Sequence, residues 1–169
     1  LSPRKDNRGF FMRTFNETAF KENGLDRNWV QENHSRSENK NIIRGLHFQL
    51  PPFSETKMVR CINGSVLDVF VDLRKDSETF GEWDSIELSA ENKKMIYIPR
   101  GFAHGFCTLT ESSEVLYKVD NFYSPENERG LLWNDEKIGI NWPINTPILS
   151  PKDKKNMTLE QFKNEYKHI

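Results

Sequence analysis

Short apolar runs rich in Val, Ile and Phe recur along this chain, cut at close intervals by Gly, Pro, Asn and Asp. That rhythm constrains the fold more than any other feature. A run of four to eight residues between turn signals is long enough for a strand and too short for a core helix. The pattern predicts strands over Gly9–Phe15, Trp29–His34, Ile42–Gln49, Lys57–Ile62, Ser65–Leu73, Trp83–Leu88, Lys94–Ile98, His104–Leu109 and Val115–Tyr123. So many short strands at even spacing indicate an all-β sandwich or barrel. Asn63-Gly64 suggests a type I′ hairpin between Val59–Ile62 and Ser65–Val66, because that turn needs positive φ angles. In the strand that follows, Leu67, Val69, Val71 and Leu73 share one face, and Val66, Asp68, Phe70 and Asp72 share the other. The carboxylate-bearing face is expected to be solvated unless it lines a polar cavity.

Two helices are expected at the periphery. Asn16 can cap one that runs through Phe20 and ends near Gly24. Thr158-Leu159-Glu160-Gln161 is a capping-box pattern opening a second, to about Lys167. The intervening Pro143, Pro147 and Pro151 predict an irregular connection.

Composition narrows the function classes. With 24 Lys plus Arg against 25 Asp plus Glu the formal charge is −1, which argues against a nucleic-acid or anionic-membrane binder. At 169 residues the chain is expected to form one domain over its whole length. Only 36% of residues are hydrophobic, but 12% are aromatic, and large rings build a core from few residues. Cys61 and Cys107 sit in apolar runs, as reduced buried thiols do, which suits a cytoplasmic protein. No apolar stretch approaches the length of a membrane span, and no charged segment followed by an apolar run reads as a secretory leader.

The candidate chemistry is sparse. There are four histidines, His34, His47, His104 and His168, with no His-x-His pair and no two spaced four apart, so a metal site is not expected. His47 lies in Arg44-Gly45-Leu46-His47-Phe48-Gln49, and His104 in Pro99-Arg100-Gly101-Phe102-Ala103-His104-Gly105-Phe106. On spacing alone His47 reads first as a core histidine satisfied by one backbone partner, and His104 as a structural histidine in a barrel corner. Lys57 and Tyr117 fall in predicted strands; on a concave face they could polarise a carbonyl and deliver a proton. Periodicity does not choose between that and a solvent-facing role.

Taken in order, several segments resemble one family. They are Asp6-Asn7-Arg8-Gly9-Phe10-Phe11, Gln31-Glu32-Asn33-His34-Ser35, Ile43–Gln49, Lys57–Cys61, Asp68–Arg74, Ile98–Phe106, Leu116-Tyr117-Lys118, Trp133-Asn134-Asp135 with Trp142-Pro143, and Leu149–Asp153. Together they resemble the dTDP-4-dehydrorhamnose 3,5-epimerases, across nearly the whole chain. The resemblance implies a jelly-roll (cupin-like) β-barrel with short peripheral helices, and a homodimer. It implies epimerisation of a dTDP-4-keto-6-deoxyhexose at C3 and C5, with no cofactor and no metal.

Matched position by position, the resemblance gives His47 as the general base and Asp153 as the carboxylate that orients it. Tyr117 becomes the acid on the opposite sugar face, Lys57 the cation near the ketone oxygen, and His104 with Asp68 a second pair lining the pocket. Around the nucleotide it places Arg8, Phe11, Gln31, Asn33, Arg44, Tyr123 and Glu128. The chain departs from the family at Arg13, where a glutamate is usual; an arginine facing the pocket would alter nucleotide or sugar preference, and one facing solvent would not. The rivals are an epimerase of C3 or C5 alone, a non-catalytic sugar-nucleotide-binding barrel and a metal-dependent barrel oxygenase.

Overall fold

The computed structural model describes residues 1–166 and 169. In chain order the elements are β1 (Arg4–Asp6), β2 (Gly9–Phe11), α1 (Glu17–Glu22), β3 (Gln31–Ser37), β4 (Ile43–Gln49), β5 (Lys57–Asn63), β6 (Ser65–Asp72), β7 (Trp83–Ser89), β8 (Met95–Ile98), β9 (Phe102–Thr108), β10 (Ser113–Val119), β11 (Glu128–Gly130), a short 3-10 turn (Asp153–Lys155) and α2 (Leu159–Glu165). A four-stranded sheet in the order β3-β10-β5-β8 faces a five-stranded sheet in the order β11-β4-β9-β6-β7. Every ladder between these strands is antiparallel. This is the expected all-β jelly roll, with β1 and β2 forming a separate hairpin.

Two apolar clusters fill the structure. Val59, Cys61, Val66, Leu88, Ile98, Phe106 and Val115 pack between the sheets. Val69, Val71, Leu73, Leu46 and Phe48 point the other way, where Leu131, Ile138, Trp142, Leu159 and Phe162 from the C-terminal third cover them. The five-stranded sheet is therefore buried on both faces. This explains why β6 has almost no exposed residue, and it corrects the solvated reading of its polar face: Asp68 is 0% and Asp72 1% exposed. Each buried carboxylate is satisfied, as burial demands. Asp68 accepts from His104, and Asp72 accepts from Arg74, Ser77 and Thr79.

The Asn63-Gly64 hairpin is also corrected. β5 pairs with β8 and β10, while β6 pairs with β7 and β9, so the two strands belong to different sheets. Gly64 is a corner that carries the chain across the sandwich. Its φ is +70°, and a Cβ there would lie 2.2 Å from the Ser112 carbonyl oxygen. Asn63 does not share the positive φ that a type I′ turn requires. A turn motif reports local backbone preference and is blind to which sheet each arm will join.

Both helix caps form as read. Asn16 Oδ1 accepts from the Ala19 backbone N–H, and Thr158 and Gln161 close a reciprocal capping box. The helices differ in burial: α1 buries nothing, whereas α2 inserts Leu159 and Phe162 into the outer cluster. Its described turns end at Glu165; Lys167 and His168 lie outside the described residues. The first predicted strand stops at Phe11 and the last at Val119, and β1 and β11 were not anticipated. These two strands are only three residues each, below the length at which alternation is visible.

Candidate active site

β4 carries the central residue, and its geometry depends on a bulge. Ile43 and Arg44 face Cys107 and Phe106 of β9, but His47 faces His104, so β4 holds one extra residue between Arg44 and His47. In a regular strand, residues three apart point to opposite faces; the bulge turns Arg44 and His47 into the same cavity. Glycines make room for it. A Cβ on Gly45 would stand 2.5 Å from Gly105 Cα, and one on Gly105 would stand 2.6 Å from the Arg44 carbonyl oxygen. Leu46 and Phe48 face the outer core, where Phe48 meets Phe162 edge-on at 5.4 Å.

The cavity lies between the sheets and has two lobes. One, of about 260 Å³, is lined by Ser35, Arg44, His47, Lys57, His104, Tyr117, Lys152 and Asp153 among others. The other, of about 330 Å³, is lined by Gln31, Asn33, His47, Glu55, Lys57, Tyr117, Tyr123 and Glu128 among others. His47, Lys57 and Tyr117 border both. His47 comes from the five-stranded sheet and Tyr117, on β10, from the four-stranded sheet.

His47 Nε2 lies 2.6 Å from Asp153 Oδ1, across 106 residues of sequence. The C-terminal segment brings Asp153 there because it is stitched down on both sides. Ile43 N–H donates to the Ile148 carbonyl, and Met157 N–H to that of Gly130. Ser150 Oγ then accepts from the Asp153 backbone N–H at 3.0 Å and fixes the start of the 3-10 turn. Burial pushes the Asp153 carboxyl up, but the His47 hydrogen bond and charge, with Ser150 and the Gly45 backbone, outweigh it and hold the group below the usual carboxylate range. A buried anion on one ring nitrogen orients the imidazole and fixes which nitrogen carries the proton.

His104, paired in register beside His47, places Nε2 2.9 Å from Asp68 Oδ2, and both residues are buried. Lys57 opens β5 and is 7% exposed. Its ammonium lies 3.3 Å from Glu55 Oε1 and 3.5 Å from the His47 carbonyl oxygen. The Tyr117 phenol is pushed up by burial, then by the charges of Glu55 and Glu128, against a smaller opposing effect of Arg44. It therefore stays protonated at neutral pH, as an acid must.

On the outer lobe, Tyr123 donates to Glu128 Oε2 at 2.6 Å, which with burial pushes its phenol up to about 12. Burial raises the Glu128 carboxyl, but Lys152, Tyr123 and the charge of His47 bring it below its ordinary value. Arg44 is held by Ser37 Oγ at 3.1 Å and the Arg36 carbonyl at 3.1 Å, and Gln31 donates to Asn33 at 3.1 Å.

Two expected residues are elsewhere. Arg8 and Phe11 sit on the β1–β2 hairpin, where Arg8 pairs with Asp6 and its side chain is 85% exposed. Neither lines this chain's cavity, because the hairpin pairs only with itself. Arg13 is exposed beside the same hairpin and also lies outside the cavity. Conversely, Ser35, Glu55, Ser150 and Lys152 border the cavity and escaped the sequence reading. Lys152 stands next to Asp153 and forms an ion pair with Glu128. Ser35, Ser150 and Lys152 fall within segments that carry the family resemblance, which matches no role to them, and Glu55 falls outside those segments. Among the described residues, no group of three His, Cys, Asp or Glu side chains is placed to hold a metal ion, and no helix is long and apolar enough to cross a membrane.

A jelly roll whose inter-sheet cavity carries a histidine–carboxylate pair, a buried lysine and a protonated phenol defines a class of enzyme built for proton transfer at carbon beside a carbonyl. Comparison with known proteins agrees with that class. Residues 1–161 match the family dTDP-4-dehydrorhamnose 3,5-epimerase. The chain belongs to this family. It is 54% identical to the dTDP-4-dehydrorhamnose 3,5-epimerase of Shigella flexneri over 149 residues, 88% of this chain and 82% of the relative. The crystal structure of the Bacillus anthracis dTDP-4-dehydrorhamnose 3,5-epimerase with TDP and PPi bound superimposes with a TM-score of 0.91 at 46% identity, covering 93% of this chain and 91% of that one. The Legionella pneumophila 3,5-epimerase in complex with dTDP-4-keto-L-rhamnose gives a TM-score of 0.91 at 39% identity, covering 97% and 87%.

Proposed function

We propose that this enzyme converts dTDP-4-keto-6-deoxy-D-glucose to dTDP-4-keto-L-rhamnose by inverting C3 and C5. The observation that carries this is the His47–Asp153 pair and Tyr117 meeting one cavity from opposite sheets, with Lys57 bordering both lobes. The named relatives and the bound ligands of the solved structures support the same substrate class.

The chemistry needs each group. His47 removes the proton from a carbon beside the 4-ketone; the C–H pair moves into the ring as an enolate, and its negative charge settles on oxygen. Lys57 stabilises that oxygen where the charge develops. Tyr117 then gives its phenolic proton to the opposite face of the carbon, the enolate collapses to the ketone, and no electrons are gained or lost overall. Exchange with water resets both groups. Since one ketone acidifies both neighbours, one site inverts two carbons. His104 with Asp68 fixes the wall beside His47, while Arg44, Gln31, Asn33, Tyr123 and Glu128 hold the diphosphate and base.

In this reading residues 1–169 work as one domain without a cofactor, in the cytoplasm, where buried free thiols persist. A homodimer would account for the hairpin. Phe10 and Phe11 are 54% and 66% exposed, an apolar surface suited to a second copy, whose cavity would also give Arg8 and Phe11 a nucleotide to bind.

Turnover in deuterated water tests the assignment. Deuterium at both C3 and C5 of the product is expected, and His47→Ala should abolish incorporation while dTDP still binds. Incorporation at one carbon alone would establish a mono-epimerase, and none at either carbon a binding barrel. Sedimentation at micromolar concentration tests the dimer.

A further inference from the structure

Glu55 belongs to no role described so far, yet it borders the outer lobe of the cavity on the segment leading into β5. Its side chain is 13% exposed, and both carboxylate oxygens are engaged. Oε1 lies 3.3 Å from the Lys57 ammonium, and Oε2 accepts from Gln49 Nε2 at 3.1 Å. Gln49 is itself 3% exposed and fixed by further bonds: its amide donates to the carbonyls of Phe53 and Phe122 and accepts from the Ser124 backbone N–H at 2.6 Å. Since Gln49 follows His47 by two residues on β4, the anion is anchored to the strand that carries the base.

We propose that Glu55 is a positioning residue for the epimerisation: its anchored carboxylate fixes where the Lys57 ammonium sits and places a negative charge on the cavity wall that Tyr117 also borders. The inference rests on the function proposed above. A flexible lysine is a poor electrostatic catalyst unless held, because its stem has several rotatable bonds. Glu55 and the His47 carbonyl oxygen together hold the ammonium at the cavity wall.

Other charged groups border the same cavity. They are Arg44 and His47 on β4, His104 on β9, Glu128 on β11, and Lys152 and Asp153 in the C-terminal segment. Among the carboxylates, Asp153 is spent on His47, and Glu128 on Lys152 and Tyr123. Among the described residues Glu55 forms an ion pair with Lys57 alone, itself a proposed member of the machinery, and its negative charge raises the phenol across the lobe that both border.

Glu55→Gln separates charge from shape, because the new carbonyl still accepts from Gln49. Tyr117 ionisation is read by ultraviolet difference titration of each protein against its Tyr117→Phe counterpart, with no turnover required. In Glu55→Gln the phenol should ionise at lower pH than in the wild type, and the alkaline limb of the kcat profile should move to lower pH in step. Glu55→Asp keeps the charge and should titrate closer to the wild type than Glu55→Gln does. Identical titrations for wild type and Glu55→Gln, or an aspartate variant matching the glutamine one, would overturn the proposal. If the wild-type protein exchanges no deuterium, the enzymatic reading falls and so does this role, whereas an altered titration beside normal wild-type exchange upholds both.

Discussion

The His47–Asp153 pair can be weakened by Asp153→Asn, which preserves the shape of the side chain. The carboxylate now accepts from His47 at 2.6 Å and is also bonded by Ser150 and the Gly45 backbone. The asparagine carbonyl can still accept from the imidazole, but a neutral hydrogen bond contributes about 1 kcal/mol where a charge-assisted one contributes about 2. The difference acts on the imidazolium that forms as carbon is deprotonated, so exchange should fall roughly fivefold. The amide nitrogen also faces the Gly45 N–H, donor to donor, leaving a buried group unmet at about 1–3 kcal/mol. For a chain of this size that lowers Tm by roughly 2–12 °C near neutral pH.

The pH dependence has a definite sign. In the folded wild type the Asp153 carboxyl is held below its ordinary range. Its contribution is complete above the unfolded value of about pH 4 and is lost as pH falls through the folded value. The Tm gap between wild type and variant should therefore be widest at neutrality and close on acidification. Deuterium exchange followed by NMR, together with thermal melts across pH 2–7, measures both effects. Exchange within about twofold of wild type, or a gap that widens in acid, would refute the reasoning.

Tyr117→Phe removes the acid while leaving the base, so deuterium should still enter the starting sugar while inverted product falls by about a hundredfold or more; inversion at the wild-type rate would remove Tyr117 from its role. Phe162→Ala empties a fully buried site that packs against Phe48, Phe80 and Tyr166. It should cost about 3–5 kcal/mol, or roughly 6–20 °C in Tm, and a loss under about 2 °C would show that α2 is not part of the core.

Much of the site was legible because its residues lie within recognisable strands and motifs. His47, Tyr117, Lys57, His104, Asp68 and Asp153 all border the cavity or pair with a residue that does. Strand positions were legible for the same reason: alternation and turn residues are local properties. Pairing was not. Asn63-Gly64 reads as a hairpin, and only the competition among partners for β5 and β6 sends them to separate sheets. A strict period of two would put Arg44 and His47 on opposite faces, and one extra residue in β4, admitted by Gly45 against Gly105, unites them.

By itself, then, the sequence determined an all-β chain, its capped helices and its chemical groups, since backbone preference and side-chain type are set residue by residue. Tertiary structure alone decided that Asp68 and Asp72 are buried, that Asp153 reaches His47 across 106 residues, that Glu55 is moored beside Lys57, and that Arg8 and Phe11 stand outside the cavity of their own chain. Those outcomes depend on which surfaces meet when the sheets close: no short window holds both His47 and Asp153, and Glu55, though two residues from Lys57, is anchored through Gln49 on another strand.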